Sequence, residues 1–396
     1  MGVVTVAPPL RRLTRLLPLF YRQSMALPEF SRSAVVRSFG APILIEEVPI
    51  PREIEPGAIL TQIEMCSICG TDVHLWQGSL ATKVELPVIL GHEMVGRIVA
   101  MGTKQSRDSV GQPLRIGDRI TWAHTSCGSC FFCTVAQEPT LCQHARRYMY
   151  DTMDRFPYLL GGFSEYGYVM PEAGRIRVPD DVPNELASLS SCALRSVMNA
   201  FDVLRGIGSS EVIVVQGAGP LGLLATTVAK TSGARRVITI GAPDARLEIA
   251  SELGADETLS IERMSPEDRT GRVRSLTGGR GADIVMEFTG HPQAFNEGLD
   301  LIRRGGRYVV VGQLSSGTTT IKPSVIVSKQ LRILGSLSGR AKAYWKALDF
   351  IAAHRSEIPF ERMISNHYTL DEVNVAMERM KNYQEIKPVI QLCATT

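Results

Sequence analysis

Two short stretches place metal-binding side chains close together. Cys69-Gly70-Thr71-Asp72-Val73-His74 and Gly91-His92-Glu93 put thiol, imidazole and carboxylate groups within residues 69–93, and these are the ligand types zinc takes. None proves a metal site alone, because buried cysteines are common and His-Glu pairs arise by chance. Cys127, Cys130 and Cys133, followed by Cys142, carry more information. Thiols at every third position can wrap one ion from a single loop, and a fourth closes the tetrahedron. A shell of four thiolates leaves no position open for substrate, so its role is structural.

A second kind of chemistry is written in Gly217-x-Gly219-x-x-Gly222, with Pro220 and Leu221 inside the motif. The pattern is weak in isolation. Here the apolar run Val212–Val215 precedes it and a Leu- and Ala-rich helical stretch follows, which is the context of a dinucleotide-binding turn. The glycines let the backbone approach a pyrophosphate, and the helix N-terminus favours its charge. The residue expected to receive the adenosine ribose falls at Gly241, where an acid would bind the 2′-hydroxyl of NAD. Glycine offers neither that bond nor repulsion to a 2′-phosphate, and Arg246 is near enough to attract one. The cofactor is therefore NADP or NAD, with NADP favoured, although Asp244 could reach the ribose from a shifted loop. An acid introduced at 241 is expected to move the preference toward NAD.

These residues need two kinds of scaffold. From about 33 to 190 short apolar runs alternate with Pro and Gly punctuation, the mark of a turn-rich β unit whose loops carry metal ligands. From near Asn184 onward, strands at Val212–Val215, Arg236–Ile240, Ile284–Met286 and Tyr308–Val311 alternate with helices, including one around Ala245–Leu253. That alternation predicts a doubly wound parallel sheet, so the fold class is α/β. Stretches 343–352 and 369–381 read as helical, and this last portion is expected to return to the first unit.

Length and composition set bounds. A chain of 396 residues predicts two domains rather than one core. A formal net charge of +3 is too small to argue for nucleic acid or an anionic membrane as partner. No apolar run is long enough to span a bilayer. The clustered cysteines point to reduced thiolates and an intracellular setting, so the expected location is cytoplasmic. Arg11, Arg12, Arg15 and Arg22 alternate with leucines in an acid-free opening stretch. A presequence and a mitochondrial location are the alternative there, against a disordered tail or a start at Met25.

Together, Cys-Gly-Thr-Asp-x-His at 69–74, Gly-His-Glu at 91–93, the four-cysteine loop, Gly-Gly-Phe-Ser-Glu-Tyr at 161–166 and the glycine fingerprint resemble the zinc-containing alcohol dehydrogenase family of the medium-chain dehydrogenase/reductase superfamily. The resemblance covers about residues 33–392. It implies an N-terminal extension (1–32), a GroES-like β-rich catalytic domain (33–193), a Rossmann domain (194–337) and a C-terminal segment returning to the first (338–396). It also implies two zinc ions per chain. Cys69, His92 and Cys192 would ligate the catalytic ion, with Glu93 an acidic neighbour able to join its shell, and Cys127, Cys130, Cys133 and Cys142 would hold the structural ion. Asp72 would orient His92, Thr71 and His74 would form a proton relay, and Arg340 would contact the cofactor pyrophosphate. The Cys133-to-Cys142 spacing is one residue longer than the family's commonest.

The activity so implied is hydride transfer between a primary or secondary alcohol, or the matching carbonyl, and NAD(P), in a homodimer or homotetramer. Alternatives are a metal-free reductase of activated double bonds and a non-catalytic dinucleotide- and zinc-binding protein. Tyr148, Met149, Tyr150, Met153 and Phe156 are offered as pocket residues against simple packing. Cys66 reads as core, Cys393 as packing, and His124 and His144 as structural residues flanking the four-thiol loop.

Overall fold

The computed structural model describes residues 27–314 and 316–393. The Arg-rich opening stretch lies outside the described residues. Eight strands come first: β1 (Phe30–Val36), β2 (Leu44–Pro49), β3 (Ile59–Ser67), β4 (Val88–Ile89), β5 (Met94–Met101), β6 (Arg119–Trp122), β7 (Tyr166–Val169) and β8 (Arg175–Arg177). The parallel unit supplies β9 (Val212–Gln216), β10 (Arg236–Gly241), β11 (Glu257–Ser260), β12 (Ala282–Glu287), β13 (Ile302–Val310) and β14 (Arg332–Gly335). Then come β15 (Ile364–Tyr368) and β16 (Lys387–Gln391).

Strands β2, β1 and β4 form a small antiparallel sheet, and a larger one runs β15-β16-β3-β5-β6-β8. Along one edge of β3, β7 covers Ile59–Gln62 and β16 covers Met65–Ser67. The late strand β16 thus completes a sheet begun more than three hundred residues earlier, directly before Cys69. The sequence reading named helices in this last portion, but neither β15 nor β16.

The parallel sheet has the order β11-β10-β9-β12-β13-β14. All five residues of β9 are buried, as expected where helices cover both faces and the strand reads as one apolar run. The chain leaves β9 to build β10 and β11 on one side and then crosses to β12 on the other. That reversal opens a crevice at the carboxyl ends of β9 and β12, where ligands bind in such sheets. Helix Pro220–Thr231 starts in it, with Pro at its first turn. Gly222 has no room for a side chain, because a Cβ there would stand 1.9 Å from the Gly217 carbonyl oxygen.

Between the two large sheets lie helices Asn184–Leu189 and Arg195–Leu204, joined by a π-type turn at Ser190–Leu194, and helix Ala341–His354. One buried cluster joins Met65 and Val95 of the first sheet to Ile213 and Val215 of the second through these helices.

Candidate metal centre and cofactor cleft

Cys69 caps the short helix Gly70–Trp76: its Sγ accepts from the Thr71 amide at 3.2 Å, and its own amide donates to Asp72 Oδ2 at 2.8 Å. The other Asp72 oxygen accepts from the Gly91 amide at 3.1 Å and stands 3.5 Å from His92 Nδ1. One fully buried carboxylate therefore ties the 69–72 turn to the 91–92 turn and faces the imidazole's outer nitrogen. His92 Nε2 then lies 3.6 Å from Cys69 Sγ and 3.3 Å from Cys192 Sγ, the latter presented by the π-type turn. Cys69, His92 and Cys192 are 6%, 6% and 9% exposed. Two thiols and an imidazole converging on one point match the donor set of a catalytic zinc with an open position.

Glu93 is completely buried beside them, within ligand distance of His92 and Cys192. It is ion-paired with the equally buried Lys387 of β16. Burial pushes its carboxyl up to about 7, against the pull of Lys387. Burial raises the Cys69 thiol, whereas the hydrogen bond from Cys69, and then the Arg195 charge, hold Cys192 well below the ordinary thiol range.

Cys127, Cys130, Cys133 and Cys142 form a second cluster, with Cys130 Sγ 3.5 Å from Cys133 Sγ and 3.9 Å from Cys142 Sγ. All are free thiols, and the Cys127 and Cys130 amides donate to Cys142 and Cys127 sulfurs at 3.3 Å. Backbone donation to sulfur, first from Ser129, holds Cys127 down to about 6. The geometry suits a closed four-thiolate shell.

Both the mixed donor set and the glycine turn open onto one cleft of about 1900 Å³, lined by Cys69, His92 and Cys192 on one side and Gly217, Gly219, Pro220 and Leu221 on the other. Thr71 and His74 border it too, with His74 Nδ1 3.0 Å from Ser79 Oγ. Gly217 has φ +117°, a backbone that favours glycine. Gly241 ends β10 against Ala218, and a Cβ on it would lie 2.5 Å from the Ala218 Cβ. The gap at the ribose position is therefore steric as well as electrostatic, which overturns the simple expectation that an acid there would bind ribose. Arg246 borders the cleft, yet one of its η nitrogens already donates to the Tyr383 and Glu385 carbonyls at 3.2 and 2.6 Å. Asp244 is paired with Arg263 at 3.1 Å. Arg340 lines the cleft and bonds Glu138 at 2.7 Å, linking it to the four-cysteine loop.

Some residues are placed otherwise than the motifs suggested. His124, read as a flank of the thiol loop, lines the cleft with its ring stacked 6.4 Å from His92. Of the five offered pocket residues, Tyr150 alone borders the cleft; Tyr148, Met149 and Met153 are core, and Phe156 is exposed. Cys66 is buried, and Cys393 Sγ meets the Ile63 carbonyl. Two cations at the site went unread. Lys387 carried no local signal. Arg195 had one: it is the sole charge in the otherwise uncharged run Leu186–Ala200.

Residues 55–180 match the family model of the alcohol dehydrogenase GroES-like domain, and residues 220–353 match that of zinc-binding dehydrogenases. The 5-exo-hydroxycamphor dehydrogenase of Pseudomonas putida is 36% identical over 351 residues, 87% of this chain and 94% of its own. L-threonine 3-dehydrogenase of Bacillus subtilis is 31% identical over 349 residues, 88% of this chain and 94% of its own. An alcohol dehydrogenase structure from Thermotoga maritima superposes with a TM-score of 0.85 at 31% identity, covering 91% of this chain and 99% of its own.

Proposed function

This chain belongs to the zinc-containing alcohol dehydrogenase family of the medium-chain dehydrogenase/reductase superfamily, and from that premise we propose that its substrate is a secondary alcohol, or the matching ketone, handled at Cys69, His92 and Cys192. The family makes it an NAD(P)-dependent oxidoreductase with a GroES-like and a Rossmann-type unit. The names of the camphor and threonine relatives both put the reacting hydroxyl on a secondary carbon. One observation carries the reading: two thiols and an imidazole converge at the wall of the same cleft onto which the Gly217–Gly222 turn opens.

Cys69, His92 and Cys192 would hold the catalytic zinc, Cys127, Cys130, Cys133 and Cys142 the structural one, and Gly217–Gly222 the pyrophosphate of the cofactor. Zinc in the first site supplies a Lewis acid for the substrate oxygen, and the nicotinamide carries the hydride. The rest falls to the chain. Asp72 holds His92 in the orientation that aims Nε2 at the two sulfurs. The Thr71 hydroxyl would accept the substrate's proton as it gives up its own toward the His74 imidazole, whose Nδ1 side meets Ser79 Oγ on the way outward. Surrounding protein lowers the His74 pKa, so near neutral pH the imidazole is free to accept. Glu93, kept in place by Lys387, provides a carboxylate beside the donor set.

Three further points belong to this proposal. The divisions 33–193, 194–337 and 338–396 are supported by the grouping of strands into sheets, with β15 and β16 joining β3. A dimer or tetramer and a cytoplasmic location accompany the family resemblance and the free thiols; among the described residues no helix is long and apolar enough to cross a membrane. NADP is favoured over NAD because Gly241 leaves no acid at the ribose. The test is a panel of primary and secondary alcohols under both cofactors. Turnover confined to secondary alcohols is expected, and equal rates on primary ones would refute the substrate class.

A further inference from the structure

Arg195 is 3% exposed, and a guanidinium is costly to take out of water unless its donors are met and its charge is balanced. Nε donates to the Ser191 carbonyl at 3.1 Å, Nη1 to Ser338 Oγ, and Nη2 to Cys192 Sγ at 3.4 Å. The guanidinium also stands 5.3 Å over the face of Tyr344. None of these hydrogen-bond partners is a carboxylate. The one acceptor among them able to carry a negative charge is the Cys192 sulfur. Arg195 follows Cys192 by three residues, directly after the π-type turn that presents the sulfur, and its side chain reaches back to it.

We propose that Arg195 is a positioning residue that tunes the Cys192 thiolate for the catalytic metal. This rests on the metal centre proposed above. A charge-assisted hydrogen bond to sulfur draws electron density from it. The sulfur then donates less to a bound ion, which keeps more of its Lewis acidity for the substrate oxygen. Ser191 and Ser338 fix the guanidinium so that the bond is held rather than sampled. Outer-shell partners of metal ligands commonly act in this way.

The test uses the full enzyme with cobalt(II) in the catalytic site and zinc left in the four-cysteine site. Cobalt bound by thiolates shows a sulfur-to-metal charge-transfer band, and a hydrogen bond to sulfur moves it to shorter wavelength. Arg195→Met is expected to shift the band to longer wavelength and to lower kcat roughly tenfold or more, with the cofactor KM little changed. Arg195→Lys, which keeps the cation, restores part of both. If the methionine variant does not fold, Arg195→Gln carries the same comparison, since it keeps polarity and loses charge. A parent band that neither neutral variant moves, with only thermal stability altered, would overturn the role of Arg195 alone. A parent with no thiolate band at all would overturn the metal centre, and this inference with it.

Discussion

Single residues at the centre divide into those that bind and those that make binding possible. Cys69→Ser replaces a soft donor with a hard one and should cost at least about a hundredfold in kcat, because Lewis-acid assistance is worth several kcal/mol. Circular dichroism should show the fold intact, and full activity would rule the site out. His74→Gln removes the proton acceptor and should slow alcohol oxidation by roughly tenfold to a hundredfold near neutral pH, less in strong base; a flat ratio across the pH range would exclude the relay. His124 contributes to acid stability instead. Burial first, and then the Arg195 charge, hold its pKa down to about 3, whereas an unfolded imidazole titrates near 6.5. Between those values the unfolded chain binds a proton that the fold refuses, so stability falls as pH drops, by at most about 1.4 kcal/mol per pH unit. His124→Phe should flatten that slope in urea titrations from about pH 7 to pH 5, and parallel slopes would refute it. The four clustered thiols were legible because their spacing is local to one loop, whereas Cys192, a hundred residues from His92, was named only through the family resemblance. His124 and Lys387 were not legible, since only tertiary placement brings them to the centre.

Elements decide what the site tolerates. Strands β9, β10 and β12 were legible as apolar runs between turns, because a strand covered on both faces has no polar side to mask it. Strands β15 and β16 were missed: β15 is short, with two exposed polar residues inside it and only its last residue buried, and β16 opens with a buried lysine that no alternation pattern anticipates. Turn chemistry was read correctly as glycine but incompletely as space. Gly241→Asp must push Ala218 off the dinucleotide turn. It should therefore raise Kd for NADP and NAD alike rather than exchange one for the other, and a clean switch to NAD in a binding titration would contradict the packing. Cys130→Ser acts on an element with little core of its own, since the 131–134 helix has no buried residue. Loss of one zinc and a lowered Tm should result, and unchanged unfolding would remove the structural ion from that loop.

At the scale of the molecule, the two thiols and the imidazole that converge all come from the unit translated first, Cys69 and His92 from loops of its sheet and Cys192 from the π-type turn near its end, where the chain leads on to the parallel sheet. Purified without chelator, the enzyme should hold about two zinc ions per chain, and one would favour a metal-free reductase. The pairing of β16 with Met65–Ser67, and of its Lys387 with Glu93, also sets a timetable. Ribosomes deliver Cys69, His92, Glu93 and Cys192, then every strand of the parallel sheet, and only afterwards Lys387. Until then the carboxylate lacks its counter-charge and the Met65–Ser67 stretch of the β3 edge stands open. For this chain, then, the unit translated first cannot complete its sheet or pair Glu93 until the whole of the unit translated second has been made.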